Sequence, residues 1–315
     1  MQEAHGQFLR NKGQNPMILV IGEILFDLFP TYKRIGGAPF NFAFHLKQLG
    51  FDVRFVSGVG RDDLGRQILD FITQHGFNPT DIQINETLPT GRVLINMAED
   101  GSHSFSIIEN TAYDQMELKG WLKDLCGSRP EMVYFGTLTQ RTLPGQSMIK
   151  AVLDRLPPDT QKFCDINLRP GCWTRPVVDQ SVANADILKL SHEELDVLVP
   201  DKNHSLEARC ATFLKKPGPK QIILTRGEKG SIWVSSKGVI HARTDENKSL
   251  KIADTVGAGD AYAAMAAATQ LSGIGEEQAM TMAHEFAAGI CEIQGAIPQD
   301  SAFYTPFLTR FHHDN

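Results

Sequence analysis

The run Asp254-Thr255-Val256-Gly257-Ala258-Gly259-Asp260-Ala261-Tyr262-Ala263-Ala264 sets a glycine-rich turn directly before an alanine-rich helix. Gly257 and Gly259 let the backbone approach a ligand closely. The first amides of the helix have no intrahelical acceptor, so they offer partial positive charge to an anion. Asp260 stands in that site. A carboxylate beside a bound phosphate repels it unless it takes a proton from an attacking group, which points to general-base chemistry on a hydroxyl. The same residues also read more plainly, with Asp254 or Thr255 as an N-cap and Asp260 as a first-turn acid matched to the helix dipole. For an isolated G-x-G-D the two readings weigh equally.

The full string D-T-x-G-A-G-D resembles the C-terminal signature of the ribokinase/PfkB family of small-molecule kinases. A second stretch, Gly36-Gly37-Ala38-Pro39-Phe40-Asn41-Phe42-Ala43, followed by Gly50, Gly60, Asp62 and Gly65, resembles the family's N-terminal pattern and lies about two hundred residues earlier. The resemblance implies an α/β fold, a ribokinase-like doubly wound sheet (an α/β/α sandwich) with a small β-lid. It also implies ATP-dependent phosphorylation of the primary hydroxyl of a small sugar.

Composition bounds the rest. The chain has 315 residues, 42% of them hydrophobic, which is ample for a buried core. A net charge of −6 with interspersed signs argues against a general nucleic-acid binder. Cys126, Cys164, Cys172, Cys210 and Cys291 are odd in number, scattered and without a C-x-x-C pair, which fits a reduced cytoplasmic compartment and no structural zinc. Residues 1–16 lack the apolar core of a secretory signal and read as a mobile leader, leaving 17–315 as a single kinase domain. No stretch is long and apolar enough for a transmembrane helix, so no membrane partner is expected. His312-His313 reads as a solvated pair.

Short apolar runs at Met17–Ile21, Val53–Ser57, Met132–Phe135, Phe163–Ile166, Ile187–Leu190 and Gln221–Thr225 read as buried parallel strands. Helices are expected at Gly65–His75, Met116–Cys126, Pro144–Leu156, Ser191–Val199 and Leu206–Lys215. This alternation predicts helices on both faces of one sheet, with ligands at the carboxyl ends of its strands. Arg92–Ile108 instead alternates around Asp100-Gly101 and predicts a hairpin. With residues 25–35 it would form the lid that the family folds over its sugar, often as a homodimer clasp; an ordinary edge hairpin is the alternative. A second hairpin is expected at Ile232–Ser235 and Val239–Ala242.

Several further residues could carry chemistry. Asp27, after the first strand, would accept hydrogen bonds from paired hydroxyls, or else be a solvated turn acid. The resemblance places Asp27, Gly36, Gly37 and Asn41 on the sugar, with Asp260 as base and Gly257, Ala258 and Gly259 as the anion hole. Asp165-x-Asn167-x-Arg169-Pro170-x-x-Trp173 resembles the fructokinase-like branch. Arg169 offers a planar fork for phosphate oxygens and Asn167 a neutral donor, although Asp165 and Arg169 also read as a pair. In Lys189-Leu190-Ser191-His192-Glu193-Glu194, the resemblance makes Glu194 an influence on hydrated magnesium, while Ser191-x-x-Glu194 equally reads as a capping box. Thr225-Arg226-Gly227-Glu228-Lys229-Gly230 resembles the family's nucleotide loop, or serves only as a turn.

By resemblance, Asn167, Lys189, Glu194, Thr225, Gly227, Gly230, Gly257 and Gly259 would meet ATP, with Ala283, Ala287 and Gly289 beside the adenine. A potassium-type loop near Asp254, Val256, Ile293 and Gly295 is also implied, although Gln299 stands where some members carry a Ser ligand. No P-loop pattern is present, and a dinucleotide fingerprint lacks its third glycine. The substrate expectation is D-fructose, converted to fructose 6-phosphate. A nucleoside or aminoimidazole riboside kinase, or a silent sensor on the same fold, are the alternatives.

Overall fold

The computed structural model describes residues 16–97, 103–242 and 251–312. Strands in chain order are β1 (Met17–Ile21), β2 (Leu25–Leu28), β3 (Lys33–Gly36), β4 (Asp52–Gly60), β5 (Ile82–Asn85), β6 (Gly91–Met97), β7 (His103–Ile107), β8 (Met132–Gly136), β9 (Gln161–Asp165), β10 (Ile187–Ser191), β11 (Gln221–Thr225), β12 (Ser231–Ser235) and β13 (Gly238–Ala242). The α-helices are α1 (Ala38–Gln48), α2 (Asp63–Gln74), α3 (Gly120–Gly127), α4 (Leu143–Leu153), α5 (Arg175–Ala183), α6 (His192–Leu198), α7 (Leu206–Leu214), α8 (Ala258–Leu271), α9 (Glu276–Cys291) and α10 (Thr305–His312).

Nine strands form one sheet in the order β13-β12-β11-β10-β9-β8-β1-β4-β5. From β5 to β11 all neighbours are parallel, and β12 and β13 add an antiparallel edge. Alternation along β1 shows why its whole run is apolar: Ile18 and Val20 enter one core, Leu19 and Ile21 the other. The first core lies under α1, α2, α8 and α9, and the second under α3 to α7. Order reverses between β1 and β8, the switch point at whose carboxyl ends open α/β sheets bind ligands.

A second sheet has the order β3-β2-β6-β7. Its own core is small, consisting of Leu25, Val93, Ile95 and Tyr113. Two buried ties root it in the larger body. Asp62, the N-cap of α2, accepts from the Thr90 amide and hydroxyl at 2.9 and 2.6 Å, just before β6. Arg141 grips Asp114 with two bonds of 2.8 and 2.7 Å and donates to the Ile108 carbonyl at 2.8 Å, just after β7. The turn at Asp100-Gly101, the leader through residue 15 and His313 lie outside the described residues.

Three details depart from the sequence reading. The expected helix from Met116 begins only at Gly120, because Gln83 bonds both the amide and the carbonyl of Glu117 at 3.0 and 2.7 Å and holds that segment extended. Strand β5, short and half polar, gave no apolar run to read. Helix α5 went unnoticed although Pro176 in its first turn, with Val177, Val178 and Val182 at helical spacing, was its signal.

Candidate active site

Helix α8 delivers Asp260 to the carboxyl edge of the large sheet. Gly257, at φ +79°, is the left-handed N-cap, and a side chain there would strike Ala296. The buried alanines that follow, Ala261, Ala263, Ala264, Ala266, Ala267 and Ala268, let α1 and α9 pack closely on α8. That close packing carries Asn41 of α1 to Asp260: its Nδ2 donates to Asp260 Oδ2 at 2.7 Å. The Asn41 Oδ1 atom is buried and finds no donor among the described residues. Burial pushes Asp260 up to about 6, against the Asn41 hydrogen bond and the charge of Lys189.

Beneath the turn lies an ion pair. Lys189 of β10 donates to both oxygens of Asp165 of β9 at 3.0 and 2.8 Å, their side chains 8% and 0% exposed. A Cβ on Gly259 would lie 3.4 Å from Lys189 Nζ, so the ammonium faces the underside of the anion-hole backbone. Burial opposes the Lys189 charge, but Asp165 and then Glu194 outweigh it and raise its pKa. Asp165 therefore pairs with Lys189, against the alternative reading of Asp165 and Arg169 as a pair. Arg169 is exposed on the following loop, where its charge acts on Glu23, Asp27 and Asp260.

Glu194 makes the capping box. Its Oε2 accepts from the Ser191 amide at 2.7 Å, while Ser191 Oγ accepts from the Glu194 amide at 3.3 Å. Its Oε1 takes the Leu168 amide at 2.6 Å, which fixes the loop carrying Asn167, itself at φ +42°, and Arg169. Thr225 stands opposite Ser191 in the β10–β11 ladder, so the turn with Gly227 and Gly230 lies farther along the same edge. Ala283 is fully buried and Gly289 lies against the Phe303 ring.

On the smaller sheet, Asp27 of β2 packs over Gly36, where a Cβ would come within 2.6 Å of Asp27 Oδ2. Gly37, at φ +115°, lies against the Glu23 carbonyl and starts α1. Burial raises Asp27 to about 6, partly offset by Arg169 and Arg34. Two residues escaped the sequence reading. Glu23 is 3% exposed, accepts from Thr139 Oγ1 at 3.2 Å, and is pushed by burial up to about 7. Its signal was a charge ending an apolar strand in Gly22-Glu23-Ile24-Leu25-Phe26-Asp27. The other is Arg34, whose Nη1 lies 3.6 Å from Asp254 Oδ2. The arrangement joins a buried carboxylate, a helix N-terminus and an exposed guanidinium, groups of the kind that phosphoryl transfer to a hydroxyl requires.

Comparison with known proteins agrees with that chemistry. Residues 17–302 match the model of the pfkB family carbohydrate kinases. A fructokinase from Rhizobium leguminosarum bv. trifolii is 27% identical over 260 residues, covering 78% of this chain and 77% of the relative. An aminoimidazole riboside kinase from Salmonella typhimurium is 26% identical over 257 residues, 78% of each chain. The crystal structure of an uncharacterized sugar kinase from Pyrococcus horikoshii in complex with ATP superposes with a TM-score of 0.78 at 25% identity, covering 93% of this chain and 99% of that one. Among the described residues no helix is long and apolar enough to cross a membrane.

Proposed function

This chain belongs to the pfkB family of carbohydrate kinases, and from that premise we propose that it transfers the γ-phosphoryl group of ATP to the primary hydroxyl of a free sugar, D-fructose first, giving fructose 6-phosphate. The carrying observation is the Asn41–Asp260 contact of 2.7 Å. It ties α1 to a carboxylate whose pKa burial raises to about 6, in the first turn of a helix whose amides favour anions, and this supports Asp260 as the proton acceptor. Asp260 takes the hydroxyl proton. The amides around Gly257, Ala258 and Gly259 receive the developing phosphate charge, and Arg169 reaches in from the loop that Glu194 holds. Asp27, Gly36, Gly37 and Asn41 hold the sugar, with Asn41 Oδ1 free to accept a hydroxyl.

Asn167, Lys189, Thr225, Gly227 and Gly230 line the nucleotide side. Magnesium would ride on the nucleotide phosphates and neutralise charge there. Both Glu194 oxygens already hold backbone amides, so that residue would influence the metal only through water. Residues 17–315 act as one domain with the four-stranded sheet as lid, and exposed Leu94 and Phe105 on that sheet favour a homodimer through it. The free Cys164, Cys172, Cys210 and Cys291 support a reduced cytoplasmic setting.

The riboside relative from Salmonella typhimurium supplies the second reading. An ADP-release assay across free hexoses, pentoses and nucleosides separates them. Fructose should be among the best acceptors; turnover of nucleosides alone replaces fructose with a riboside, and no turnover with any acceptor favours a sensor.

A further inference from the structure

We propose that the Arg34 guanidinium is a tethered cation for the anion-hole turn, so that phosphoryl transfer in this protein does not depend on a dissolved monovalent ion. Asp254 opens the turn that Asp260 closes. Its Oδ1 accepts from the Val256 amide at 3.0 Å and its Oδ2 from the Gly295 amide at 3.0 Å, so this carboxylate fixes both the turn and the segment behind it. Such a carboxylate needs a counter-charge, and Arg34 supplies it from β3. Arg34 Nη1 lies 3.6 Å from Asp254 Oδ2, and Nη2 donates to Gln294 Oε1 at 3.2 Å.

The surroundings are shaped to the arginine. Its guanidinium carbon lies 4.8 Å from the Tyr32 ring centre and 5.7 Å from that of Phe29, and these rings stack at 4.2 Å. Across from them, Gly295 is buried at φ +83°, and a Cβ there would come within 3.0 Å of Arg34 Nη1. A potassium-type ion at Asp254, Val256, Ile293 and Gly295 would bring a second positive charge beside a guanidinium already in place. Gln299, expected to replace a hydroxyl ligand, is exposed. These residues do not fit a dissolved cation. They fit a fixed one.

The tether also has a place in the kinase cycle. Arg34 stands opposite Asp27 in the β2–β3 register, so one arginine faces the acid assigned to the sugar and the acid that holds the turn. Arg34 is thereby a positioning residue that joins lid and anion hole.

The test uses the full chain in potassium, sodium or tetramethylammonium chloride at equal ionic strength. Wild-type kcat should vary by less than about twofold among the salts, and its melting temperature should not rise specifically with potassium. Arg34→Ala should lose about tenfold or more in kcat in tetramethylammonium while keeping nucleotide affinity. Potassium or guanidinium should restore part of the loss, and Arg34→Lys should retain most activity. Activation of the wild type by potassium of about fivefold or more, or unchanged kcat in Arg34→Ala, overturns the proposal. If Arg34→Ala does not fold, the wild-type salt series decides. The inference rests on the kinase reading but not on fructose. Should no sugar be turned over, the potassium dependence of the melting temperature still reads it, because an ion that binds the native state raises that temperature.

Discussion

The carboxyl edge of the large sheet and the four-stranded sheet above it are built to different standards. At the edge, strands are buried on both faces, and Asp165 and Lys189 meet at 2.8 Å with side chains almost closed to solvent. In the smaller sheet four residues make the core, and the Arg34–Asp254 pair spans 3.6 Å with side chains 29% and 24% exposed. Groups that stabilise a transition state must not reorganise as charge develops, so they stand on packed elements. Groups that receive a substrate and then enclose it belong on a part that moves at small cost. On the proposed kinase reading, the difference is a division of labour between rate and recognition.

The hardest blow to that division is Asp260→Asn. As general base Asp260 should carry about two to four orders of magnitude in kcat, with nucleotide affinity retained. Its stability effect has the opposite sign. A carboxyl raised to about 6 in the fold contributes stability that is present below its unfolded value and lost as pH rises through 6. At pH 8 the amide should melt no lower than the wild type, and wild-type turnover should fall as pH drops through about 6. Near-native sugar phosphorylation by the folded variant would remove Asp260 from the mechanism.

Next in size is Lys189→Met, which leaves Asp165 buried without its cation and should destabilise the fold by about 3–5 kcal/mol. Adding Asp165→Asn should recover most of that loss. A loss below about 1 kcal/mol, measured by chemical denaturation, would show that the edge is no stiffer than the lid.

How much of this was legible follows the same line. Continuous apolar runs announce strands that are buried on both sides, so β1, β8, β10 and β11 were readable within a residue or so. Asp260 was readable because glycines and a helix start surround it locally. The Lys189–Asp165 pair was not, since it joins neighbouring strands 24 residues apart, and Asp165 had a nearer candidate in Arg169. Arg34 is farther still, joined to Gln294 across 260 residues. A single sequence records which residues are charged but not which strand edge brings them together. Ser191-x-x-Glu194 shows the converse: the pattern described a local cap correctly, while its reach to the Leu168 amide depended on the fold.

Asp27→Asn addresses the lid. With one acceptor weakened and the fold's core untouched, sugar KM should rise about 10- to 100-fold. Nucleotide affinity should hold, and stability should change by less than about 1 kcal/mol. A fall in kcat at unchanged KM would instead place Asp27 with the rate-determining groups and erase the distinction drawn between the two sheets.

Glu23→Gln gives the smallest effect and the finest test, because Glu23 lies between β1 and β2, where the two sheets meet. Burial raises its carboxyl to about 7, above its unfolded value near 4.5. The protonated acid therefore favours the fold at low pH, and that contribution is lost as pH rises through 7. Glutamine never ionises, but its amide still needs partners, and among the described residues Thr139 supplies one from its hydroxyl. The expected outcome is a gain of about 1 kcal/mol at pH 8 that is lost as pH falls from about 7 towards 4.5, the window between the folded and unfolded values. The pH dependence matters more than the size, because a packing change alone would shift stability equally at high and low pH. If the difference between wild type and variant is flat across that window, Glu23 is already ionised in the fold and paired with Arg169. The meeting point of the sheets would then be a salt bridge, and Arg169 would be committed to structure before any phosphate arrives.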